Sequence, residues 1–295
     1  MYKRFFGMKE DPFTANPDPR YLYRTRQVEE ALACLAYGIR RRSGFTLLSG
    51  EVGTGKTTLL NTLMQELCGQ RVNTAFIFNP GLGVNQFLHV ALEDFGVHSE
   101  AHRKGEMLLQ LNQWLLERYA AGERAVLIVD EAQNLSLEVL EEIRLLTNLE
   151  TLTEKLLQIV LSGQSEIEVL LRQPALRQLL QRITLRCRMT PFSPQDTRGY
   201  IYERLRIAGA QGSPIFTPDA VAMVYSYSGG IPRVINLLCE NALISAFADG
   251  QRPVLAATIR DVGREFGLDR PQEPVVLPRA AQVNGLPVQG VGFGN

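Results

Sequence analysis

The sequence has few cysteines and histidines, and these do not lie in patterns that bind metal. None of the four cysteines forms a C-x-x-C pair, which argues against both a zinc site and a disulfide framework. The three histidines show no consistent i, i+4 pair near carboxylates, so a metal site built on them is not expected. We therefore interpret the cysteines as reduced cytosolic thiols, mostly in the core.

The sequence also lacks a net charge and a long apolar run. Its 31 basic residues equal its 31 acidic ones, so no overall field attracts nucleic acid or an anionic membrane, which leaves only local patches for such contacts. The N-terminus has no apolar core of about seven residues before a cleavage site, and no stretch reaches about eighteen apolar residues. We expect a cytoplasmic location and no membrane span in this chain.

The clearest motif runs from Gly50 to Thr57, reads G-E-V-G-T-G-K-T and fits G-x-x-x-x-G-K-[ST]. Glycines let backbone N–H groups converge on phosphate oxygens, and the helix that starts here adds its positive dipole end. Lys56 is expected to reach the β- and γ-phosphates and Thr57 to ligate magnesium. Such a turn can also be a plain strand-to-helix connection, but the strand pattern before it and the helical pattern after it favour ATP and Mg²⁺ binding. The predicted nucleotide contacts are Gly50, Glu51, Val52, Gly53, Thr54, Gly55, Lys56, Thr57 and Thr58.

A second motif follows the apolar run from Ala125 to Val129, which is typical of a strand covered on both faces. Asp130 comes next, at the strand end where open α/β sheets bind ligands, and is expected to hold magnesium through water. Glu131 is expected to orient and deprotonate the attacking water. Adjacent carboxylates can instead cap the next helix, but the upstream phosphate-binding motif favours the catalytic interpretation.

Strands alternate with helices as far as residue 192, which predicts an α/β fold with a mostly parallel sheet between helices. One strand pattern, Leu156 to Leu161, is followed by Ser162 and Gln164, and either would lie beside the γ-phosphate if this strand runs between the two motif strands. Residues 1–25 are rich in proline and aromatics, so we predict an extended segment rather than a helix, lying across the surface near the base pocket. The predicted parts are an extended N-terminal segment (1–25), a nucleotide-binding α/β domain (26–192), a small all-helical lid (193–266) and a disordered tail (267–295).

Taken together, these motifs resemble the ExeA-like family of AAA+ ATPases, also called the general secretion pathway protein A family, over about residues 1–266. The resemblance implies a P-loop NTPase fold of AAA+ type followed by a helical lid. It is carried by the segments D-P-R-Y-L-Y (18–23), G-E-V-G-T-G-K-T (50–57), D-E-A-Q-N-L (130–135), R-L-L-T-N-L-E (144–150) and S-G-G-I-P-R (228–233).

Further site residues are implied by this resemblance alone. Gln164, or alternatively Ser162, is similar to the sensor 1 residue, and Arg233 to the sensor 2 arginine of the lid. Arg182 is similar to an arginine finger, which completes the site of a neighbouring subunit. Planar guanidinium donors match the charge spread over γ-phosphate oxygens. Arg177 and Arg186 lie close by in the sequence and compete for the finger role, and Arg182 can also be a plain surface arginine at a helix end.

The resemblance implies an oligomeric ATPase, a ring or filament, that hydrolyses ATP to ADP and phosphate. It implies protein partners in a cell-envelope secretion, pilus or exopolysaccharide system, with peripheral placement at the inner membrane through those partners. Family members often continue into a transmembrane helix and a peptidoglycan-binding region, which the residues after 266 do not resemble. Two alternatives stay open: a DNA-associated regulator similar to the TniB and TnsC transposition ATPases, and a nucleotide-gated scaffold with slow turnover. The balanced charge favours the ATPase of a cell-envelope system over the DNA-associated regulator.

Overall fold

The computed structural model describes residues 1–78 and 81–268, and its centre is a five-stranded parallel sheet in the order β2-β3-β4-β1-β5. Strand β4 therefore lies between β1 and β3, the two strands that lead into the motifs. In register, Phe45 pairs with Ile159 and Thr46 with Leu185. The strands are β1 (Phe45–Gly50), β2 (Val72–Ile77), β3 (Arg124–Val129), β4 (Leu157–Gly163) and β5 (Leu185–Met189).

Helices cover both faces of this sheet. Successive strand residues point to opposite faces of the sheet. Leu48 therefore packs in one core with the helices of residues 26–40 and 56–67, while Leu47 packs in another with the helices between residues 84 and 182. Because both faces are covered, the central strands are buried almost throughout, which explains their continuous apolar runs. The helices up to the last strand are α1 (Tyr2–Phe6), α2 (Arg26–Arg40), α3 (Lys56–Leu67), α4 (Val84–Asp94), α5 (Lys104–Ala120), α6 (Leu137–Leu146), α7 (Glu166–Leu171) and α8 (Arg177–Arg182).

Four helices after β5 form the lid around a separate apolar core. They are α9 (Pro194–Ile207), α10 (Pro218–Ser228), α11 (Pro232–Ala248) and α12 (Ala256–Glu265). The first three begin with proline, whose missing N–H is harmless in a first turn. The predicted α/β fold is confirmed, and a helical unit follows the sheet as the sequence indicates.

The N-terminal segment differs from its prediction. The expectation that residues 1–25 contain no helix is wrong, because α1 (Tyr2–Phe6) forms before the first proline and ends at Gly7, which has a φ of 72°. Tyr2, Phe6 and Phe13 are buried in the same core as the lid helices. The segment therefore packs as part of the lid, and burial of its aromatics provides the stabilisation.

Over residues 1–78 and 81–268, no helix combines the length and apolar character needed to cross a membrane. The tail that the sequence predicts to be disordered lies, beyond Leu268, outside the residues that the structure describes.

Candidate nucleotide site

A cleft of about 810 Å³ opens at the carboxyl end of β1, between the sheet domain, the lid and the N-terminal segment. This is the edge at which open parallel sheets bind ligands. The segment before α2 borders the cleft with the aromatic side chains of Phe13, Tyr21 and Tyr23. Lining residues come from Phe13–Asp18 and Tyr21–Tyr23, from Val52–Thr58 and Glu131, and from Pro232–Val234 at the start of α11.

The glycines of the P-loop are needed for its backbone and for contact with the lid. Gly53 and Gly55 have φ values of 78° and 96°, in the left-handed region that favours glycine. A Cβ added to Gly53 would lie 2.6 Å from the Cβ of Arg233. The backbone N–H of Arg233 also donates to the Gly53 carbonyl, at 3.2 Å. The first turn of α11 therefore rests directly on the P-loop.

Lys56 places its ammonium group inside the P-loop. The residue is 5% exposed, and Nζ donates to the carbonyl oxygens of Gly50 at 2.8 Å and Glu51 at 3.0 Å. Burial lowers the pKa of Lys56, while the charges of Glu131 and Asp130 oppose that shift. Neutral carbonyls are weaker partners for a cation than phosphate oxygens, so the geometry suits an anionic ligand here.

The carboxylate of Asp130 joins three parts of the chain. Thr57 Oγ1, from the start of α3, donates to Asp130 Oδ2 at 2.7 Å, and Ser162 Oγ, from β4, donates to Oδ1 at the same distance. The N–H of Glu131 also donates to Oδ1, at 3.0 Å. Asp130 is 1% exposed, so these bonds satisfy a buried charge. Hydroxyl and carboxylate oxygens are ligands that Mg²⁺ accepts.

Glu131 sits at the start of the next turn in an unusual backbone conformation. Its φ of 53° is rare for a residue with a side chain and marks a position that the surrounding structure must hold. Two side-chain amides donate to Oε2: Gln133 Nε2 at 2.5 Å and Gln164 Nε2 at 3.2 Å. Gln164 therefore contacts Glu131, whereas Ser162 contacts Asp130. The two residues that the sequence left as alternatives for sensor 1 thus have different partners.

The candidate arginines take different positions. Arg233 is exposed and lines the cleft. Arg182 ends α8 outside that lining, and its Nη1 donates to the side-chain oxygens of Thr147 and, at 2.7 Å, Asn148. Arg177 and Arg186 are exposed and also lie outside the lining. Arg182 therefore contacts the end of α6 and does not line the cleft of its own chain.

The sequence did not single out Arg204, which anchors the N-terminal segment. Arg204 is 4% exposed, donates from Nε to the Pro12 carbonyl and donates from Nη2 to the Thr14 carbonyl at 3.3 Å. Its guanidinium also lies 4.3 Å from the ring centroid of Tyr21, a cation–π distance. The partners are about 190 residues away in the chain, so no local pattern indicated this contact.

Arg204→Met is expected to destabilise the protein by about 2–4 kcal/mol, because it leaves buried carbonyls without donors while keeping most of the side-chain volume. Urea unfolding followed by circular dichroism measures this change. Arg198→Met, at an exposed position of the same helix, is the matched control. Equal midpoints for Arg204→Met and wild type would show that the N-terminal segment is held by its aromatics alone.

Comparison with known proteins identifies the family of this chain. Residues 39–171 match a family model described as an AAA domain. The chain is 48% identical over 260 residues to "General secretion pathway protein A" of Aeromonas hydrophila, covering 88% of this chain and 47% of that protein. The chain belongs to the ExeA-like AAA family. This ExeA-like chain spans about half the length of the curated relative it matches.

Solved structures show the same fold for the ExeA-like chain. The ORC2 protein of Aeropyrum pernix gives a TM-score of 0.67 at 16% identity, covering 87% of this chain and 72% of that one. Cdc6p of Pyrobaculum aerophilum gives 0.67 at 18% identity, covering 88% and 71%. The RuvB branch migration motor of Thermotoga maritima gives 0.56 at 16%, covering 87% and 74%. At these identities the likeness shows the fold alone.

Proposed function

We propose that this chain binds ATP with Mg²⁺ in the cleft and hydrolyses it to ADP and phosphate. The observation that carries the proposal is the meeting of the Lys56 ammonium, the Thr57–Asp130 pair and the Glu131 carboxylate at the carboxyl edge of one sheet. These groups supply phosphate binding, metal binding and a base, the three parts that phosphoryl transfer to water needs.

The proposed roles follow from position. Lys56 and the backbone N–H groups of residues 50–58 bind the phosphates, since a cation and a helix N-terminus both attract anions. Glu131 accepts the proton of the attacking water, because it lines the cleft and is held by two amide donors. Gln164 and Arg233 orient the γ-phosphate from the sheet and the lid.

The oxygen donors fit magnesium. Thr57 Oγ1 is the proposed direct ligand, and Asp130 acts through water. Ser162 holds the second carboxylate oxygen of Asp130, which orients the group. Thr57 and Asp130 would hold the ion, which would supply positive charge next to the phosphates.

We propose further that the protein works as a homo-oligomer in a cell-envelope secretion system. The name of the 48% identical relative supports the secretion setting. The position of Arg182, outside its own cleft and at the end of α8, supports a role in the site of a neighbouring chain. An arginine supplied in this way stabilises transition-state charge and contributes on the order of a thousandfold or more to turnover.

A mixing experiment tests hydrolysis and assembly together. Arg182→Ala should bind ATP but lose most turnover, because it lacks the arginine supplied to a neighbouring site. Glu131→Gln should also bind ATP but lose most turnover, because it lacks the base. In mixed oligomers, Glu131→Gln subunits should supply intact Arg182 to the otherwise complete sites of Arg182→Ala subunits and restore part of the activity. Phosphate release is measured across mixing ratios at a concentration where light scattering shows assembly.

Two results would count against these proposals separately. Absence of phosphate release by the wild-type chain with ATP and Mg²⁺ would reject hydrolysis and favour a nucleotide-gated scaffold. A mixed rate that never exceeds the weighted sum of the two variants, despite co-assembly, would reject the shared site. Arg198→Ala, another exposed helix arginine, should leave the rate unchanged and controls for loss of surface charge.

A further inference from the structure

A side-chain amide bridge connects Glu131 to the end of β4. Gln133 lies in the short 3₁₀ turn Ala132–Asn134 that directly follows Glu131. Its Nε2 donates to Glu131 Oε2 at 2.5 Å, and its Oε1 accepts from the backbone N–H of Gln164 at 2.9 Å. Both ends of one amide are therefore used, which fixes its orientation.

The bridge leaves one oxygen of the carboxylate free to act. Gln133 and Gln164 both donate to Oε2 of Glu131, and no hydrogen bond reaches Oε1 from the residues that the structure describes. Glu131 itself lines the cleft. Anchoring one oxygen of a carboxylate restricts its rotation, so the other oxygen is presented in one direction.

Gly163 makes room for this bridge. A Cβ at Gly163 would lie 2.9 Å from Gln133 Oε1 and 3.1 Å from the Cβ of Ile167, both closer than ordinary packing allows. Gly163 is the last residue of β4, and it pairs with Ser49 of β1. The amide of Gln133 therefore fits only because the strand beside it ends in a residue without a side chain.

The backbone at Glu131 gives an independent reason for such support. A residue with a φ of 53° lies in a sparsely populated region and stays there only when its surroundings hold it. The hydrogen bond from the Glu131 N–H to Asp130 holds the backbone, and the amides hold the side chain. Together they keep the carboxylate in place beside the P-loop.

We infer that Gln133 is a positioning residue for hydrolysis. It holds the Glu131 carboxylate in the orientation in which its free oxygen accepts a proton from the attacking water. This inference rests on the proposed role of Glu131 as the base. Gln133 is outside the lining of the cleft, so its loss should affect the chemical step rather than nucleotide binding.

Gln133→Met keeps the length of the side chain and removes both polar functions. Turnover (kcat) should fall about 10- to 100-fold, as expected when a reacting group is misplaced by about 1 Å. KM and ATP affinity should stay within about twofold of wild type. Gln211→Met, at an exposed loop position of the lid, is the matched control and should leave both constants unchanged.

A double substitution separates positioning from a general structural effect. If Gln133 acts through the Glu131 carboxylate, Gln133→Met should change kcat less than about twofold in a Glu131→Gln background, because the base is already absent. An equal fold loss in both backgrounds would overturn the inference, as would an unchanged kcat for Gln133→Met. If Gln133→Met fails to fold, Gly163→Ala displaces the same amide from the other side and should show the same selective loss of kcat.

The failure of this inference can be told from failure of the proposed function. Absence of phosphate release by the wild-type chain would overturn the proposed function. Equal, measurable rates for wild type and Glu131→Gln would remove Glu131 from its role as base and overturn this inference, while hydrolysis itself would stand. A large loss in Glu131→Gln with no loss in Gln133→Met or Gly163→Ala would leave the function intact and reject Gln133 as a positioning residue.

Discussion

Lys56→Ala is expected to weaken ATP binding on the order of 100-fold or more and to abolish measurable turnover. Hydrogen bonds to charged groups contribute about 1.5–3 kcal/mol each. Lys56 Nζ donates to two P-loop carbonyls without nucleotide, and we expect it to donate to phosphate oxygens when ATP binds. Titration calorimetry with ATP and Mg²⁺ measures binding, and phosphate release measures turnover. Unchanged affinity together with unchanged turnover would remove the P-loop from the proposed site.

A second substitution at the same position excludes misfolding as the cause. Because burial lowers the pKa of Lys56, folding disfavours its charged form at neutral pH. That unfavourable contribution is present in full below the folded-state pKa and is relieved as the pH rises from there toward the ordinary lysine value. Lys56→Met keeps the aliphatic volume and removes this unfavourable contribution together with two hydrogen bonds to backbone carbonyls. It should therefore stay folded without nucleotide, as measured by circular dichroism, yet fail to bind ATP. Lys9→Ala, at an exposed position, is the control for loss of charge.

Glu131→Gln is expected to separate binding from hydrolysis. The substitution keeps the shape of the side chain and leaves Lys56, Thr57 and Asp130 in place, so ATP affinity should stay within about threefold of wild type. Turnover should fall roughly 10²- to 10⁴-fold, the usual contribution of a positioned base. Single-turnover hydrolysis of radiolabelled ATP measures the residual rate.

The matched control for this variant is Glu100→Gln, which removes an exposed carboxylate away from the cleft and should leave the rate unchanged. Wild-type turnover in Glu131→Gln would show that another group accepts the proton. Loss of ATP binding in the same variant would instead indicate that Glu131 contributes to the fold of the site.

Much of this arrangement could be read from residues that are close together in the chain. The P-loop was recognisable because its glycines, Lys56 and Thr57 lie within eight positions between an apolar run and a helical pattern. The end of β3 was recognisable because a strand covered on both faces is apolar throughout. The apolar run of β3 ends at Val129, and the carboxylate of Asp130 follows it. The sequence also indicated that β4 ends in polar residues beside these motifs, and the strand order confirms its place.

Other features depend on which elements pack together. The helix α1 was missed because its five residues are stabilised by burial against the lid rather than by a periodic pattern of their own. Arg182 was placed at a domain edge by resemblance, but its hydrogen bonds to Thr147 and Asn148 appear only when α8 meets the end of α6. The carbonyl partners of Arg204, on Pro12 and Thr14, are about 190 residues away in the chain.

By itself, the sequence determined the parallel sheet, the P-loop turn and the carboxylates at the strand end, since each depends on local backbone geometry and on apolar periodicity. Only the tertiary structure decided that Ser162 bonds to Asp130 and Gln164 to Glu131, although the two residues are two positions apart. It also decided that Gln133 bridges Glu131 to β4 across the space left by Gly163. The physical reason is that a hydrogen bond requires two atoms within about 3 Å, and the register of neighbouring strands, rather than spacing along the chain, sets that distance.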